Sequence, residues 1–254
     1  MSATAIASIV FACISAGALL GMRLRGALPA HHLADESKDV MKLGMGLVAT
    51  MAALVLGLLI ASAKSSYEAQ RVGFEQLAAN LILLDTTLAH FGPEAGESRA
   101  LLRRTVAGAL DRIWPPDGAP AAGLGAGKTT AQGRTLLDEL QAIAPRDDAQ
   151  RWLQSQALQI GIELARTRWL LFEEEQGTAI PTPFLAVLVF WLAMLFGSFG
   201  LFSKPNATII ATLLVCALSV SGAIFLILEM DHPFSGMMQI SSAPLRNAIA
   251  HMGQ

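Results

Sequence analysis

The chain has 254 residues, of which 53% are hydrophobic and only 15% are charged, and its mean hydropathy is +0.50. Soluble domains carry about 25% charged residues, so this composition indicates a membrane protein. The net charge of −2 gives no reason to expect a nucleic-acid partner. Cys13 and Cys216 both lie inside apolar runs and are interpreted as small hydrophobic residues, which say nothing about the redox compartment.

Four segments are long and apolar enough to cross a bilayer, which takes about 20 residues. They are residues 3–22, 43–63, 180–202 and 207–230, and their only charge is Glu229. The N-terminus, the extramembrane segment 64–179 and the tail 231–254 then share one side of the membrane. Basic residues after the first span favour a cytoplasmic location for the polar loop 23–42, but basic residues at the other membrane ends nearly balance that count.

The stretch HHLADESKD, at positions 31–39, is the densest group of ionisable side chains in the chain. Asp35 or Ser37 is placed at the N-cap of the second span, and Asp39 falls near its first turn, where the helix dipole favours acids. The two histidines are adjacent and cannot point the same way along a regular helix, which disfavours a metal site within one subunit. No metal is predicted, and the stretch is interpreted as a pH-sensitive vestibule comprising His31, His32, Asp35 and Asp39.

The second span carries a small residue at every fourth position. One interpretation is a surface for helix–helix contact, since small residues let backbones approach closely in lipid. The other starts from Lys42 and Lys64, which bracket the span about 33 Å apart and lie within about 40° of each other around the helix axis. The small-residue positions are Ala49, Ala53, Gly57, Ala61 and Ser65.

Several copies of this span around a common axis would place basic rings at both mouths of a narrow apolar path. Basic rings favour anions, and an apolar constriction gates by dewetting. Ile60 is the only bulky residue centred on the strip, so we place the constriction there. Alternatively, the two lysine side chains extend to the membrane–water interface and line no path. The predicted ion-pathway strip consists of Lys42, Gly46, Ala49, Thr50, Ala53, Gly57, Ile60 and Lys64.

Segment 64–179 is predicted to form a bundle of about four helices outside the lipid. The first continues out of the second span and ends at Gly92, with apolar residues in steps of three and four. A second covers about 94–114, a flexible loop covers 115–133, and two more helices follow, around 136–143 and 158–172. The apolar seam of the first helix consists of Phe74, Leu77, Leu81, Leu84, Leu88 and Phe91.

The loop contains GLGAGKTT, which imitates a phosphate-binding loop. That motif requires a glycine, four residues and then Gly-Lys-Ser/Thr after a β-strand. Ala122 stands where the first glycine is required, and a helix with a double proline precedes the loop. A nucleotide site is therefore not predicted.

No nucleophile–base–acid set stands out, so neither an enzyme nor a cofactor is predicted. The remaining polar group lies at the end of the fourth span. An acid inside a membrane indicates function, although one at the interface is easily solvated. Hydroxyl groups and an arginine downstream could meet an anion or a lipid head. This membrane-end polar cluster consists of Glu229, Asp231, His232, Ser241, Ser242 and Arg246.

Two long strings of the sequence are unusual. The first is HHLADESKDVMKLGMGLVATMAALVLGLLIASAKSSYEAQ, and the second joins PTPFLAVLVFWLAMLFGSFGLF to LLVCALSVSGAIFLILEMDHPFSGMMQISSAPLRNAI. They resemble the bacterial and plant bestrophin-like family, a family of unknown function. The resemblance covers both pairs of membrane helices and the start of the extramembrane segment, and leaves out the loop 115–133.

The resemblance implies distant kinship with bestrophins, which are pentameric anion channels with four spans per subunit. In those channels the second span lines the pore and a helical cytosolic part follows it. This chain is thus expected to be an all-α protein of the bacterial inner membrane and a homo-oligomer, a pentamer by analogy. Its bundle is expected in the cytoplasm, against the charge bias around the first span. The aromatic neck and acidic calcium clasp of bestrophins are not found in this sequence.

Three classes of function follow. The first is an oligomeric ion channel, with anions favoured, contacting membrane lipid and lined by the second span. The second is a membrane-anchored helical protein for interaction or signalling, without transport. The third, a metal-dependent membrane enzyme using the histidine pair, ranks last because no substrate pocket is visible in the sequence.

Overall fold

The computed structural model describes residues 2–27, 35–115, 127–176, 182–203, 205–231, 233–234 and 236–252. Over these residues the protein is all-helical, and four of its helices are long and apolar enough to cross a membrane. The predicted fold class, an all-α membrane protein with four long apolar helices, is confirmed.

The helices follow one another in the order in which the sequence places the apolar runs. They are α1 (Ala3–Ala27), α2 (Asp35–Phe91), a short 3-10 helix (Pro93–Ala95), α3 (Gly96–Ile113), α4 (Gly127–Ala142), α5 (Asp148–Gln176), α6 (Thr182–Phe202), α7 (Ala207–Met230) and α8 (Ala243–His251).

The chain divides into two compact units. The membrane unit consists of Met1–Ser65 and Ala179–Asp231, and the bundle unit consists of Ser66–Thr178 and His232–Gln254. The helix α2 contributes to both, because its apolar first part belongs to the membrane unit and its later turns to the bundle unit.

In the membrane unit, glycines bring α1 and α6 into backbone contact. A Cβ atom added to Gly21 would lie 1.9 Å from the carbonyl oxygen of Gly197, and one added to Gly200 would lie 2.1 Å from that of Ala18. Small residues permit this close approach. In lipid the hydrophobic effect does not drive helices together, so close van der Waals packing stabilises their contact. At the end of α6, Arg25 donates a hydrogen bond to the carbonyl oxygen of Phe202 (2.9 Å).

The bundle unit is built on the predicted seam of α2. Five of its six residues are buried, Leu77 is half-buried and Ala78 is buried beside it. The C-terminal segment closes the same core with Phe234, Ile240 and the inner face of α8. The sequence predicts only a tail for 231–254 and does not predict α8.

Two predicted boundaries differ from the structure. The loop predicted for 115–133 ends earlier, because α4 already begins at Gly127; residues 116–126 lie outside the described part. Gly133 lies inside α4, and a glycine there lowers helix stability by about 1 kcal/mol relative to alanine. The burial of Leu136 and Leu140 further along α4 offsets this loss. Ser37 lies inside α2, which begins at Asp35, so Ser37 cannot be its N-cap.

Candidate functional site

The predicted ion-pathway strip lies along a face of α2 that the other described helices leave open. Ala49 is half-buried, and the other strip residues are exposed. Ile60 keeps 39% of its surface exposed although it lies within the apolar stretch. The structure therefore places the strip on one open face of a single membrane helix.

The face of α2 that packs against its own chain is a different one. Ala52, Leu59 and Ala63 are buried in the core of the membrane unit. Around the helix axis this buried face is about 100° away from the centre of the strip. Most of the small-residue stripe of α2 is exposed, and close backbone packing within the unit occurs instead between α1 and α6.

The strip is smooth and almost without free polar groups between its two lysines. A Cβ added to Gly46 or Gly57 would meet nothing within 4 Å. The hydroxyl of Thr50 is within hydrogen-bond distance of the carbonyl oxygens of Leu47 (2.8 Å) and Gly46 (3.1 Å), so it is satisfied by its own helix. Side chains on the strip thus offer an ion no replacement for its hydration shell.

The positive charge of Lys42, at one end of the strip, is partly neutralised. The Nζ atom of Lys42 lies 3.0 Å from Oδ1 of Asp39, and both side chains are mostly exposed. An ion pair so open to solvent is weak, on the order of 1 kcal/mol or less, so Lys42 can exchange its partner for another anion. At the other end of the strip, Lys64 is also exposed.

The vestibule prediction remains untested. His31 and His32 lie outside the described residues, and Asp35 is described only as the first residue of α2. Among the residues that the structure describes, no group of three or more His, Cys, Asp or Glu side chains could hold a metal ion.

Beside the strip, α2 exposes a second face of bulky residues. Leu43, Leu47, Leu54 and Leu58 are between 64% and 77% exposed. They lie about 100° to 160° around the axis from Lys42. The open surface of α2 thus consists of a small-residue strip and a leucine face.

The comparison with known families gives a match over most of this architecture. A model described as the bestrophin-like domain matches residues 12–245, from within α1 to within α8. The chain belongs to the bestrophin-like family. The predicted resemblance is thereby confirmed. No curated protein and no solved structure matches the chain.

In this bestrophin-like protein the membrane-end polar cluster is divided between the two units. Glu229 is 6% exposed near the end of α7, and Asp231 follows it as the helix cap. The other members lie at the start of α8, except for His232, which is outside the described residues. There the Ser241 hydroxyl accepts a hydrogen bond from the Ala243 amide (3.1 Å), and the Arg246 amide donates to the carbonyl of Ser242 (3.0 Å).

A partly buried ion pair in the bundle unit was not predicted from the sequence. Arg99 donates two hydrogen bonds to Asp85, from Nε to Oδ1 (2.9 Å) and from an Nη atom to Oδ2 (2.7 Å). The hydrogen bond to Asp85 raises the pKa of Arg99. The two residues are on different helices, so no spacing along the chain could have revealed the pair.

An aromatic cluster joins α2, α3 and the C-terminal segment of the bestrophin-like chain. Phe74 meets Trp114 and Phe234 edge to face, at ring-centroid distances of 5.6 and 5.3 Å. The indole N–H of Trp114 donates to the carbonyl oxygen of Ile240 (2.9 Å). The amide of Ile240 in turn donates to the carbonyl of Pro233 (2.8 Å), a hydrogen bond within the C-terminal segment itself.

Proposed function

We propose that this bestrophin-like membrane protein is an oligomeric ion channel that favours anions, with α2 of each copy lining the path. The observation that carries the proposal is the open strip on α2, small and apolar along its length and basic at both ends. The proposal needs neither a catalytic residue nor a cofactor.

An ion that moved along the strip would meet positive charge at both ends and an apolar surface between them. Lys42 and Lys64 would give a ring of positive charge at each mouth when several copies face one axis, and such rings attract anions. Between them the path offers no free polar side chain, so permeation depends on its width. Ile60 is the bulkiest apolar residue on the strip and supplies the narrowest point, where the path dewets.

Exposed apolar side chains on the bundle unit support an oligomer. A soluble surface rarely presents many large apolar residues unless another molecule covers them. The residues lie on α2 and α5 and are not accounted for by lipid contact in a bundle predicted to stand outside the membrane. They are Val72, Leu83, Trp152, Ile162, Trp169 and Leu170.

Ion flux through vesicles containing the purified protein tests the proposal. We expect chloride to move faster than potassium, and Ile60→Ala to raise chloride flux severalfold because it widens the constriction. The matched control is Leu58→Ala, which removes an exposed side chain (70%) about 160° around the axis from Ile60. Leu59 is unsuitable as a control because it is only 7% exposed, and its truncation would loosen the core.

Equal effects of Ile60→Ala and Leu58→Ala would contradict the assignment of the strip. Absence of any ion movement across the tested range of pH, calcium and voltage would contradict the channel itself.

A second candidate is a membrane-anchored signalling or interaction protein. It is favoured by the continuity of α2 through both units and by the aromatic cluster that ties the C-terminal segment to it. The same flux experiment separates the two, since a signalling protein moves no ions while it remains folded and membrane-inserted.

A further inference from the structure

Beyond Lys64, charged residues continue along the face of α2 that carries the ion-pathway strip. The helix runs without interruption from Asp35 to Phe91. The next charged residues on it are Glu68, Arg71 and Glu75, which come four, seven and eleven positions after the lysine. At about 100° per residue, all three lie within about 40° of Lys64 around the helix axis. Glu68, Arg71 and Glu75 thus form a charge ladder that prolongs the strip.

Within the charge ladder, one guanidinium is held between two carboxylates. The Nε atom of Arg71 donates a hydrogen bond to Oε1 of Glu75 (3.2 Å), and an Nη atom lies 3.8 Å from Oε2 of Glu68. All three side chains are about half exposed, so their charges remain open to solvent and to mobile ions.

The charge ladder carries more negative than positive charge. Its two carboxylates and one guanidinium leave a formal charge of −1, which balances the single positive charge of Lys64. Arg71 and Glu75 also line a cavity of about 290 Å³ in the bundle unit, and the other residues that line it carry no charge. The end of the strip that the sequence marks as basic is therefore electrically balanced over the next three turns of α2.

Such a ladder has little effect on the stability of its own helix. Exposed pairs three or four residues apart on a helix contribute only a few tenths of a kcal/mol. Fixed charges at the mouth of a path act more strongly on mobile ions, because they change the local concentration of each sign. A net negative ring attracts cations and repels anions.

We propose that Glu68 and Glu75 limit the preference of the path for anions, and that Arg71 partly offsets them. The inference rests on the proposed channel, in which α2 of each copy faces a common axis. In that arrangement every copy adds its charge ladder to a ring beyond Lys64. The ladder then sets the ratio of chloride to potassium that passes, whereas Ile60 sets the width of the path.

The reversal potential of the purified full-length protein in a planar bilayer under a KCl gradient tests this proposal. It measures the permeability ratio of chloride to potassium and does not depend on the number of channels. We expect Glu68→Gln and Glu75→Gln each to raise the ratio about twofold, because one negative charge leaves each copy. Arg71→Gln is expected to lower it about twofold. Opposite signs separate an electrostatic role from a structural one, since loss of either partner breaks the same ion pair.

The matched control is Glu163→Gln on α5. Glu163 is also half exposed, and its Oε2 atom lies 3.9 Å from an Nη atom of Arg166, three residues further along. The control is expected to leave the ratio unchanged, and unchanged thermal midpoints show that all variants fold. At about 1 M salt, where the Debye length is about 3 Å, the effects of the three ladder variants should shrink.

The inference is overturned, and the channel is retained, if the wild-type protein conducts and the ladder variants keep the ratio of the control. Shifts of the same sign in Glu68→Gln and Arg71→Gln would also overturn it, because charge would not then be the cause. Absence of any conductance in the wild-type protein overturns both the channel and this inference.

Discussion

At the scale of single residues, the pair between Asp85 and Arg99 has the clearest consequence for stability. Asp85 is only 4% exposed, and its carboxylate is held by two hydrogen bonds from Arg99. A buried carboxylate is tolerated when it is paired and hydrogen-bonded, and removal of one partner leaves an uncompensated charge.

We expect Arg99→Met to lower the free energy of unfolding by about 3 kcal/mol, because it strands the Asp85 carboxylate in the core. The measurement is the thermal or denaturant midpoint of the full-length protein in detergent. Arg151→Met, which breaks the exposed pair with Asp148, is the control and should change stability by no more than about 0.5 kcal/mol. Equal shifts in both variants would show that the buried pair contributes nothing specific.

At the scale of helices, the contact between α1 and α6 depends on residues without side chains. Gly17 and Gly21 on α1 face a carbonyl-lined surface on α6, where Gly197 and Gly200 permit the approach. The four-residue spacing of the first pair is a known signal of close helix contact in membranes. The sequence carries this signal as a single pair of glycines, whereas the stripe of small residues on α2 is longer.

Gly21→Ala is expected to destabilise the membrane unit by about 2 kcal/mol or more, because its Cβ would overlap the backbone of α6, which cannot move aside as a side chain can. Gly26→Ala is the control in the same helix, since an added Cβ there meets nothing within 4 Å. The measurement is the thermal midpoint for each variant. A Gly21→Ala protein as stable as Gly26→Ala would contradict the close packing of α1 on α6.

The two open faces of α2 illustrate what helix periodicity can and cannot predict. The spacing of Lys42, Ile60 and Lys64 predicts that they share a face, since a regular helix fixes angles around its axis. Which face its neighbours cover depends on where α1, α6 and α7 pack. The structure buries Leu59 and leaves Leu58 exposed, although both are leucines in the same apolar run.

At the scale of the whole molecule, the end of the chain completes a core that begins far upstream. Met252 is 1% exposed and packs in the same cluster as Phe74 and Leu84 of α2. The membrane unit has a separate core, made by residues from its own helices. Substitution of a buried residue in the C-terminal segment should therefore destabilise the bundle unit before the membrane unit.

Met252→Ala is expected to lower the free energy of unfolding of the bundle unit by about 2 to 4 kcal/mol, because it removes a buried side chain and leaves a cavity. Limited proteolysis should show faster cleavage within the bundle unit while the membrane unit stays protected. Met237→Ala is the matched control, since Met237 is 83% exposed and its truncation creates no cavity. Similar cleavage rates in the two variants would mean that α8 is not part of the bundle core.

The sequence by itself determined the class of the protein, its four candidate spans and its family. These follow from local properties: a bilayer of fixed thickness requires about 20 apolar residues in a row, wherever the other helices lie. The apolar seam of α2 could likewise be predicted, because it depends only on the helical period. The limits of α4 and the existence of α8 were harder to predict from the sequence than the spans, since short or glycine-containing helices depend on packing for their stability.

Only the tertiary structure decided which surfaces are covered and which residues meet. Asp85 and Arg99 come together, the Trp114 indole finds the carbonyl of Ile240, and Tyr67 and Arg71 line a cavity with Gln239. Each of these contacts joins different helices or segments, and its geometry is set by the three-dimensional packing of several helices. Periodicity along one chain determines angles within a helix, whereas contact between helices requires their relative positions, which no local pattern contains.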